Sequence, residues 1–359
     1  MLNRRALLGA GAALPLLSAV PAWPAGADQQ PDAVVDAFVR DAGFQGVVML
    51  GRMGKPDYIR TVGYADIEAR LPAKADTPYA IASISKWLTT VTVLKLVERG
   101  LLDLDAPLTR FLPDYRADTG AKLTLRRLLC NASGLPNLFS AAGKEDPTLL
   151  TTDLTTGQAL TRFCQGDLMF EPGDKFDYNM VNWIVVVAVV ERVTGLPFQA
   201  AVRSITLDPL GMKATAATDK ALETVAPSYR TVEPPDRWRN DRRPYLAAAG
   251  GYASTAPDLM RGAHLVFDTG FLTPESRRQL THVEMPTADY ALGGRVRQLT
   301  IQGRTVLAGW ETGRTAGYRL VLGHRLDGRR TVVILNNTAL SQKTMDQFAD
   351  RLLGAEPRP

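Results

Sequence analysis

The sequence contains few of the residues that build metal centres and disulfide frameworks. Its 359 residues include two cysteines, Cys130 and Cys164, and three widely spaced histidines. No HExxH motif, zinc-ligand spacing or glycine-rich phosphate loop occurs, so we expect no metal and no organic cofactor. Two thiols do not define a disulfide framework. We predict that both are small buried apolar residues, and a disulfide between them stays an open alternative.

The chain also lacks a large excess of charge of either sign. It has 42 Lys and Arg residues against 37 Asp and Glu residues, which gives a net charge of +5. No run of five basic residues occurs, so nothing supports nucleic-acid binding. Apolar residues make up 45% of the chain, which is typical of globular proteins. The length allows two domains, or one domain with a large insertion.

Residues 1–27 have the pattern of an export signal. Arg4-Arg5 precede an apolar stretch rich in small residues, and Ala25-Gly26-Ala27 matches an A-x-A cleavage site. The paired arginines resemble a twin-arginine signal, although the general secretory route stays open. A membrane anchor is disfavoured because Pro15 and Pro21 interrupt the apolar stretch. We therefore predict cleavage after Ala27 and a periplasmic or secreted protein without a stable membrane span.

Hydrophobic periodicity divides the rest of the chain into strand-rich ends and a mainly helical middle. We predict an α/β domain from residues 28–75 plus 250–359, a helical inserted domain from 76–249, and an active site between them. The predicted helices are 32–42, 83–99, 125–129, 157–164, 181–193, 197–204 and 341–353. The predicted strands are 46–52, 58–64, 299–301, 305–308, 318–322 and 331–335.

An S-x-x-K motif at residues 83–86 supplies a candidate nucleophile. The motif lies at the start of a predicted helix, where residues i and i+3 share one face, so Ser83 and Lys86 can meet. A serine hydroxyl needs a base within hydrogen-bonding distance, and a lysine is a base only when its surroundings lower its pKa. The alternative interpretation is a helix-capping serine followed by a surface lysine.

Several blocks in one order resemble the serine β-lactamase and penicillin-binding-protein superfamily, in its class C β-lactamase, D,D-peptidase and esterase branch. The blocks are residues 63–66 with 77–86, 100–108, 124–136, 171–178, 191–198 and 250–259. The resemblance covers nearly the whole chain beyond residue 27. It implies an α/β (α+β) fold in which an antiparallel sheet is flanked by N- and C-terminal helices, with a mainly helical insertion.

The resemblance also implies roles for particular residues. Ser83 would be the nucleophile that forms an acyl-enzyme, Lys86 its proton partner and Tyr178 a second base. A tyrosine can act as a base near neutral pH only beside a cation, which Lys86 would supply. The backbone N–H groups of Ser83 and Arg314 would form the oxyanion hole, and such donors do not depend on side-chain identity.

Two positions depart from the superfamily's pattern. Residues 178–180 read Tyr-Asn-Met, so the asparagine expected at position 180 is replaced by Met180. Residues 310–313 read Trp-Glu-Thr-Gly, so Glu311 stands where a lysine or histidine is usual. We predict that Met180, Glu311, Thr312 and Gly313 line the substrate site, with Arg314 or Arg319 available either to pair with Glu311 or to restore a positive charge there. A carboxylate at position 311 would repel an anionic substrate group.

These observations favour an exported serine hydrolase that acts through an acyl-enzyme on a small-molecule or peptide substrate. We expect an esterase, or an amidase or D-peptidase acting on neutral or amine-bearing substrates, with weak or no β-lactamase activity. The alternative is a catalytically weak or inactive relative that binds cell-wall or other ligands. A Ser-His-Asp hydrolase is disfavoured because no G-x-S-x-G motif occurs. The sequence leaves the oligomeric state open.

Overall fold

A six-stranded antiparallel sheet joins the two ends of the chain. The computed structural model describes residues 30–150, 152–218, 224–238, 243–328 and 330–355; the predicted export signal lies outside them. The strands are β1 (Gly46–Arg52), β2 (Lys55–Val62), β3 (Tyr64–Asp66), β4 (Leu71–Pro72), β5 (Tyr79–Ala80), β6 (Ala216–Ala217), β7 (Ser228–Tyr229), β8 (Arg237–Trp238), β9 (Tyr252–Ser254), β10 (Arg295–Ile301), β11 (Arg304–Arg314), β12 (Arg319–Arg325) and β13 (Thr331–Asn336). In the large sheet the strand order is β10-β11-β12-β13-β1-β2.

The centre of this sheet is formed by strands that are apolar on both faces. β1 pairs with β13 in a register that places Val47 opposite Leu335, and β13 is buried along its whole length. Gly46 is required at the start of β1, because a Cβ atom there would lie 1.9 Å from the carbonyl oxygen of Leu335. Burial on both faces accounts for the continuous apolar runs that made these strands recognisable in the sequence.

Helices cover both faces of the sheet. On one face the first and last helices pack together, with the rings of Phe38 and Phe348 stacked 3.8 Å apart. This arrangement confirms the predicted antiparallel sheet with terminal flanking helices. In the described residues the α-helices are α1 (Pro31–Ala42), α2 (Ser85–Glu98), α3 (Ala117–Gly120), α4 (Leu125–Leu129), α5 (Leu138–Glu145), α6 (Thr156–Phe163), α7 (Met180–Thr194), α8 (Phe198–Val202), α9 (Ala247–Gly250), α10 (Ala256–Asp268), α11 (Pro274–Thr281) and α12 (Gln342–Gly354).

Helices α2 and α7 form the centre of the helical region. Both are buried on nearly every side, which explains why their sequences are apolar all round instead of amphipathic. The side chain of Asn179 caps the start of α7, and Gly195 ends that helix in the left-handed conformation. Among the described residues no single helix has the length and apolar character of a membrane span, although one bent pair, Met180–Thr194 with Phe198–Leu207, meets both criteria.

The structure differs from the prediction mainly in the C-terminal strands. β10 and β11 are longer than the predicted segments 299–301 and 305–308, and β11 continues through Glu311 to Arg314. Arginines and glycines hide the alternation of these strands in the sequence. The two cysteines follow the prediction, since both are buried and neither is in a disulfide; burial also raises the pKa of each thiol.

Candidate active site

Ser83 lies in a strained turn between β5 and α2. A single turn of 3₁₀ helix, Ala82–Ile84, precedes α2, and Ala82 adopts a left-handed conformation with φ 46°. Such a conformation is unfavourable for a residue with a side chain and must be held by its surroundings. Ile81 supplies one such constraint, because its N–H donates to the carbonyl oxygen of Tyr252 at 2.9 Å. The turn leaves Ser83 partly exposed at the base of a cleft.

The structure brings Lys86 to Ser83, one helical turn away. Lys86 Nζ lies 3.1 Å from Ser83 Oγ and donates to the carbonyl oxygen of Ala249 at 2.5 Å. The lysine side chain is only 1% exposed. Its ammonium group also lies 4.9 Å from the ring centroid of Tyr178 and 5.4 Å from that of Trp183. Aromatic faces and a carbonyl oxygen thus replace part of the water that a buried cation loses.

Tyr178 completes the contact with Ser83. Its hydroxyl group donates to Ser83 Oγ at 2.8 Å. Burial pushes the pKa of Tyr178 upward, but the charge of Lys86 and the hydrogen bonds that Tyr178 makes with Lys86 and Ser83 outweigh it and hold the pKa below its ordinary value. A lowered pKa is what a tyrosine needs in order to accept a proton near neutral pH. The three side chains are therefore arranged for the roles that the resemblance implies.

A buried asparagine network holds the segment that carries Tyr178. Asn131 Oδ1 accepts hydrogen bonds from the Asn179 N–H at 3.3 Å and from Asn182 Nδ2 at 3.2 Å. Asn179 Nδ2 donates to the carbonyl oxygen of Leu135 at 2.6 Å, so its amide group is committed to the fold. Met180 begins α7 and packs against the apolar core. Asn131 was not singled out from the sequence, where only its place before the Ser-Gly-Leu turn could have drawn attention to it.

The end of β11 presents an unpaired edge to the Ser83 segment. Pairing with β10 stops at Arg295 and Trp310. The Thr315 N–H donates to the Tyr318 carbonyl oxygen, so the next pair, Arg314 and Arg319, belongs to the non-hydrogen-bonded type. The Arg314 N–H therefore points away from β12, towards the open edge.

Gly313 allows this edge to approach the nucleophile closely. A Cβ atom at Gly313 would lie 2.4 Å from the carbonyl oxygen of Ile81, two residues before Ser83. The backbone of β11 is thus nearly in contact with the turn that carries Ser83. This geometry fits an oxyanion hole formed by the N–H groups of Ser83 and Arg314, which stays a prediction.

The side chain of Glu311 is buried on the face of β11 opposite to that of Thr312 and Arg314. Its side chain is 5% exposed, and a Cβ atom at Gly294 would lie 1.9 Å from Glu311 Oε1. Burial raises the pKa of Glu311 to about 8, although the charges of Arg295 and Lys86 act in the opposite direction. Neither Arg314 nor Arg319 is ion-paired to it in the described part of the chain, so these two arginines do not compensate for the carboxylate.

The cleft beside Ser83 has a volume of about 780 Å³ and a lining rich in arginine. Thr312 lines it, whereas Met180, Glu311 and Gly313 lie outside its lining. Glu311 and Gly313 face away because alternate residues of β11 face opposite sides, and Met180 packs against the core. In the described ranges no group of three or more histidine, cysteine or acidic residues could hold a metal ion. The lining residues are Ser83, Tyr178, Ala288, Asp289, Arg295, Arg297, Trp310, Thr312, Arg314, Thr315, Ala316, Arg319, Gln342 and Asp346.

The segment 290–295 was missed in the sequence. Gly293 adopts φ 80°, and a Cβ atom there would lie 2.1 Å from Thr90 Oγ1 on α2. Because neither Gly293 nor Gly294 has a side chain, the backbone of this segment fits between α2 and the side chain of Glu311. Tyr290 packs edge-on against Tyr178 with centroids 6.2 Å apart. The signal available in the sequence was Gly293-Gly294, directly before a segment in which apolar and polar residues alternate as in a strand.

Glu311 should make the stability of the protein depend on pH. Its pKa is raised from 4.5 to about 8, so the folded protein retains a proton that the unfolded chain has lost. The free energy of unfolding should therefore fall as the pH rises through this window, by up to about 1.4 kcal/mol per pH unit. In Glu311→Gln the Tm advantage over the wild type should widen from pH 5 to pH 8 and then level off. Exposed Glu145→Gln is the control, and a Tm difference for Glu311→Gln that is independent of pH would contradict this account.

Both the sequence and the fold of this protein are similar to those of known proteins. Esterase EstB from Burkholderia gladioli is 36% identical over 223 residues, which cover 58% of this chain and 56% of the esterase. A penicillin-binding protein from Bacillus halodurans has a TM-score of 0.75 at 23% identity, covering 90% of this chain and 99% of that one. D-amino acid amidase from Ochrobactrum anthropi has a TM-score of 0.74 at 22% identity, covering 90% and 96%. At such identities the two structures show the fold alone. The family model Beta-lactamase matches residues 31–355, and the chain belongs to that family.

Proposed function

We propose that the protein is a serine hydrolase that acts through an acyl-enzyme on Ser83. The observation that carries the proposal is the position of Ser83 Oγ, within hydrogen-bonding distance of both Lys86 Nζ and the Tyr178 hydroxyl group. A nucleophile beside a base that is itself held in place is the arrangement that covalent catalysis requires. Export through residues 1–27 is part of the proposal and rests on the sequence pattern alone.

Each step of the reaction has a residue to carry it. Tyr178, in the deprotonated form that the charge of Lys86 favours, accepts the proton of Ser83 as Oγ attacks the substrate carbonyl carbon. The N–H groups of Ser83 and Arg314 stabilise the oxyanion that forms. The same proton then passes to the leaving group as the bond to the carbonyl carbon breaks. Water, activated by the same pair, releases the acid and regenerates Ser83.

Esters, or amides of the D-peptidase type, suit the site better than β-lactams. Met180 offers no amide group to a substrate, and Asn179 is committed to capping α7 and to Leu135. Glu311 supplies no cation from the position where the superfamily usually has one. The similarity to an esterase supports this preference.

Labelling should identify Ser83 as the nucleophile. Incubation with a fluorophosphonate should add one phosphonyl group to the wild type and none to Ser83→Ala, as measured by intact-mass spectrometry. Hydrolysis of 4-nitrophenyl butyrate should fall by about 10⁴–10⁶-fold in the variant, because the nucleophile acts as a unit with its base. Exposed Ser140→Ala is the matched control and should behave as the wild type. A wild type that neither labels nor hydrolyses esters would favour the binding-protein alternative.

A further inference from the structure

The carboxyl group of Glu311 is buried without a partner that would stabilise its charge. Among the described residues it makes no hydrogen bond and no ion pair, although its side chain is only 5% exposed. Acidic side chains are rarely buried to this extent unless they are paired, because an isolated charge loses its hydration. Gly294 provides the space, since a Cβ atom there would overlap both carboxyl oxygens. The fold therefore makes room for an acid whose ionised form it does not stabilise.

The segment that contacts Glu311 also contacts the helix that carries Lys86. A Cβ atom at Gly293, the residue before Gly294, would lie 2.9 Å from the carbonyl oxygen of Lys86. The N–H of Gly293 donates to the carbonyl oxygen of Leu129 at 3.0 Å, which fixes the segment. The backbone of the two glycines thus separates Glu311 from α2. A change of charge on Glu311 takes place close to the catalytic side chains.

Four other titratable or charged side chains form a chain around this carboxyl group. The guanidinium carbon of Arg295 lies 5.2 Å from the ring centroid of Tyr290. Tyr290 packs edge-on against Tyr178 at 6.2 Å, and Lys86 Nζ lies 4.9 Å from the Tyr178 ring centroid. Cys130, which follows α4, is a further titratable group that acts on Tyr290. The chain therefore runs from the first residue of β10 to the lysine that contacts the nucleophile.

The charge of Glu311 changes in a pH range that matters for Tyr178. Burial raises the pKa of Glu311 to about 8, against the charges of Arg295 and Lys86. Burial also acts to raise the pKa of Tyr178, but Lys86 and, more weakly, Arg295 are among the groups that hold this pKa below its ordinary value. The same two cations thus act on both groups. A negative charge on Glu311 opposes the field on which the low pKa of Tyr178 depends.

We propose that Glu311 is a positioning residue for the reaction at Ser83, which permits catalysis while its carboxyl group is neutral and weakens it on ionisation. The neutral form leaves the charges of Lys86 and Arg295 to favour the deprotonated Tyr178. The ionised form offsets these charges, so that a larger share of Tyr178 is protonated and cannot serve as the base. This inference rests on the proposed function of Ser83 and adds a control of that site by pH.

The rate at which a fluorophosphonate labels Ser83 tests the inference without requiring the natural substrate. Its second-order rate constant is measured by intact-mass spectrometry at about pH 7 and about pH 9.5. The ratio of the alkaline to the neutral rate constant should be about three- to tenfold higher in Glu311→Gln than in the wild type, because glutamine has the same shape and never ionises. With 4-nitrophenyl butyrate the change should appear in kcat and not in KM. Exposed Glu145→Gln is the matched control and should keep the wild-type ratio.

Variants of Arg295 provide a second test that does not require Glu311→Gln to fold. Arg295→Gln removes one of the two cations, and it should lower the labelling rate at about pH 7 by about three- to tenfold. Arg295→Lys keeps the charge and should retain most of the rate. Arg304→Gln removes an exposed arginine at the far end of β11 and should behave as the wild type.

The outcomes separate this inference from the proposed function. Thermal unfolding at each pH ensures that the rates compare folded proteins. An alkaline-to-neutral ratio in Glu311→Gln that equals the wild-type ratio, or lies below it, would overturn the inference and leave the hydrolase intact. Equal losses in Arg295→Gln and Arg295→Lys would also overturn it, because they would show that the arginine acts through its shape and not its charge. If Ser83 is not labelled at any pH, the proposed function itself fails.

Discussion

Replacing Lys86 by methionine should lower kcat for ester hydrolysis by about 10³–10⁴-fold without unfolding the protein. The substitution removes the ammonium group that donates to Ser83 Oγ and whose charge lowers the pKa of Tyr178. Stability should change little, because an apolar side chain of similar size replaces a buried cation, although the carbonyl oxygen of Ala249 loses its donor. Steady-state kinetics and thermal unfolding measure the two effects separately.

The residual activity of this variant carries a second signature. Without the charge of Lys86, the pKa of Tyr178 should rise, so the activity that remains should increase towards higher pH than in the wild type. Exposed Lys144→Met is the matched control and should keep wild-type kinetics. A Lys86→Met protein with a wild-type kcat would exclude Lys86 from the chemistry. Lys86→Arg separates the charge from the hydrogen bond, because an arginine keeps the charge but replaces the compact ammonium group that contacts Ser83 Oγ.

Gly313→Ala should reduce kcat by about 10²–10³-fold, the loss expected when one donor of an oxyanion hole is displaced. The added methyl group would lie 2.4 Å from the Ile81 carbonyl oxygen and 2.6 Å from Leu320 Cδ1. The carbonyl oxygen of Ile81 belongs to the backbone and cannot rotate away as a side chain could. The added methyl group must therefore push β11 and the turn that carries Ser83 apart. The Arg314 N–H then withdraws from the position at which the oxyanion forms.

Overpacking of this kind also lowers stability, by about 1–3 kcal/mol, so kcat should be measured well below the Tm of the variant. Gly157→Ala is the matched control, because a Cβ atom there meets nothing within 4 Å. It should leave kcat unchanged and raise the Tm slightly. A Gly313→Ala protein with a wild-type kcat and a lowered Tm would show that the close approach serves packing alone.

The sequence predicted those parts of the structure that depend on local pattern. β1 and α7 are recognisable because continuous burial gives continuous apolar runs, and the Ser83–Lys86 contact follows from helical spacing. Met180 could be placed at the start of α7, but only the structure shows that it packs against the core.

What the sequence could not predict depends on the face of a strand and on distant contacts. Glu311 was expected in the substrate site because its motif position faces substrate elsewhere in the superfamily. Its burial follows from the strand alternation together with Gly294, which belongs to another strand connection. Arg314 and Arg319 were singled out in the sequence, but their position opposite each other could not be predicted, because it depends on the register of β11 and β12. These features arise from tertiary register and not from local propensity.

The pairing of the first strand of the large sheet with its last has a consequence for biosynthesis. Gly46 pairs with Asn336, and nearly the whole chain lies between them. At about 5–20 residues per second, β1 waits some tens of seconds on the ribosome before β13 emerges. Ser83, Lys86 and Tyr178 all lie within the first half of the sequence, yet the strand edge beside Ser83 comes from β11, which begins at Arg304. A nascent chain therefore carries its nucleophile long before the strand edge beside it, and we expect hydrolytic activity only after β11 and β13 have emerged.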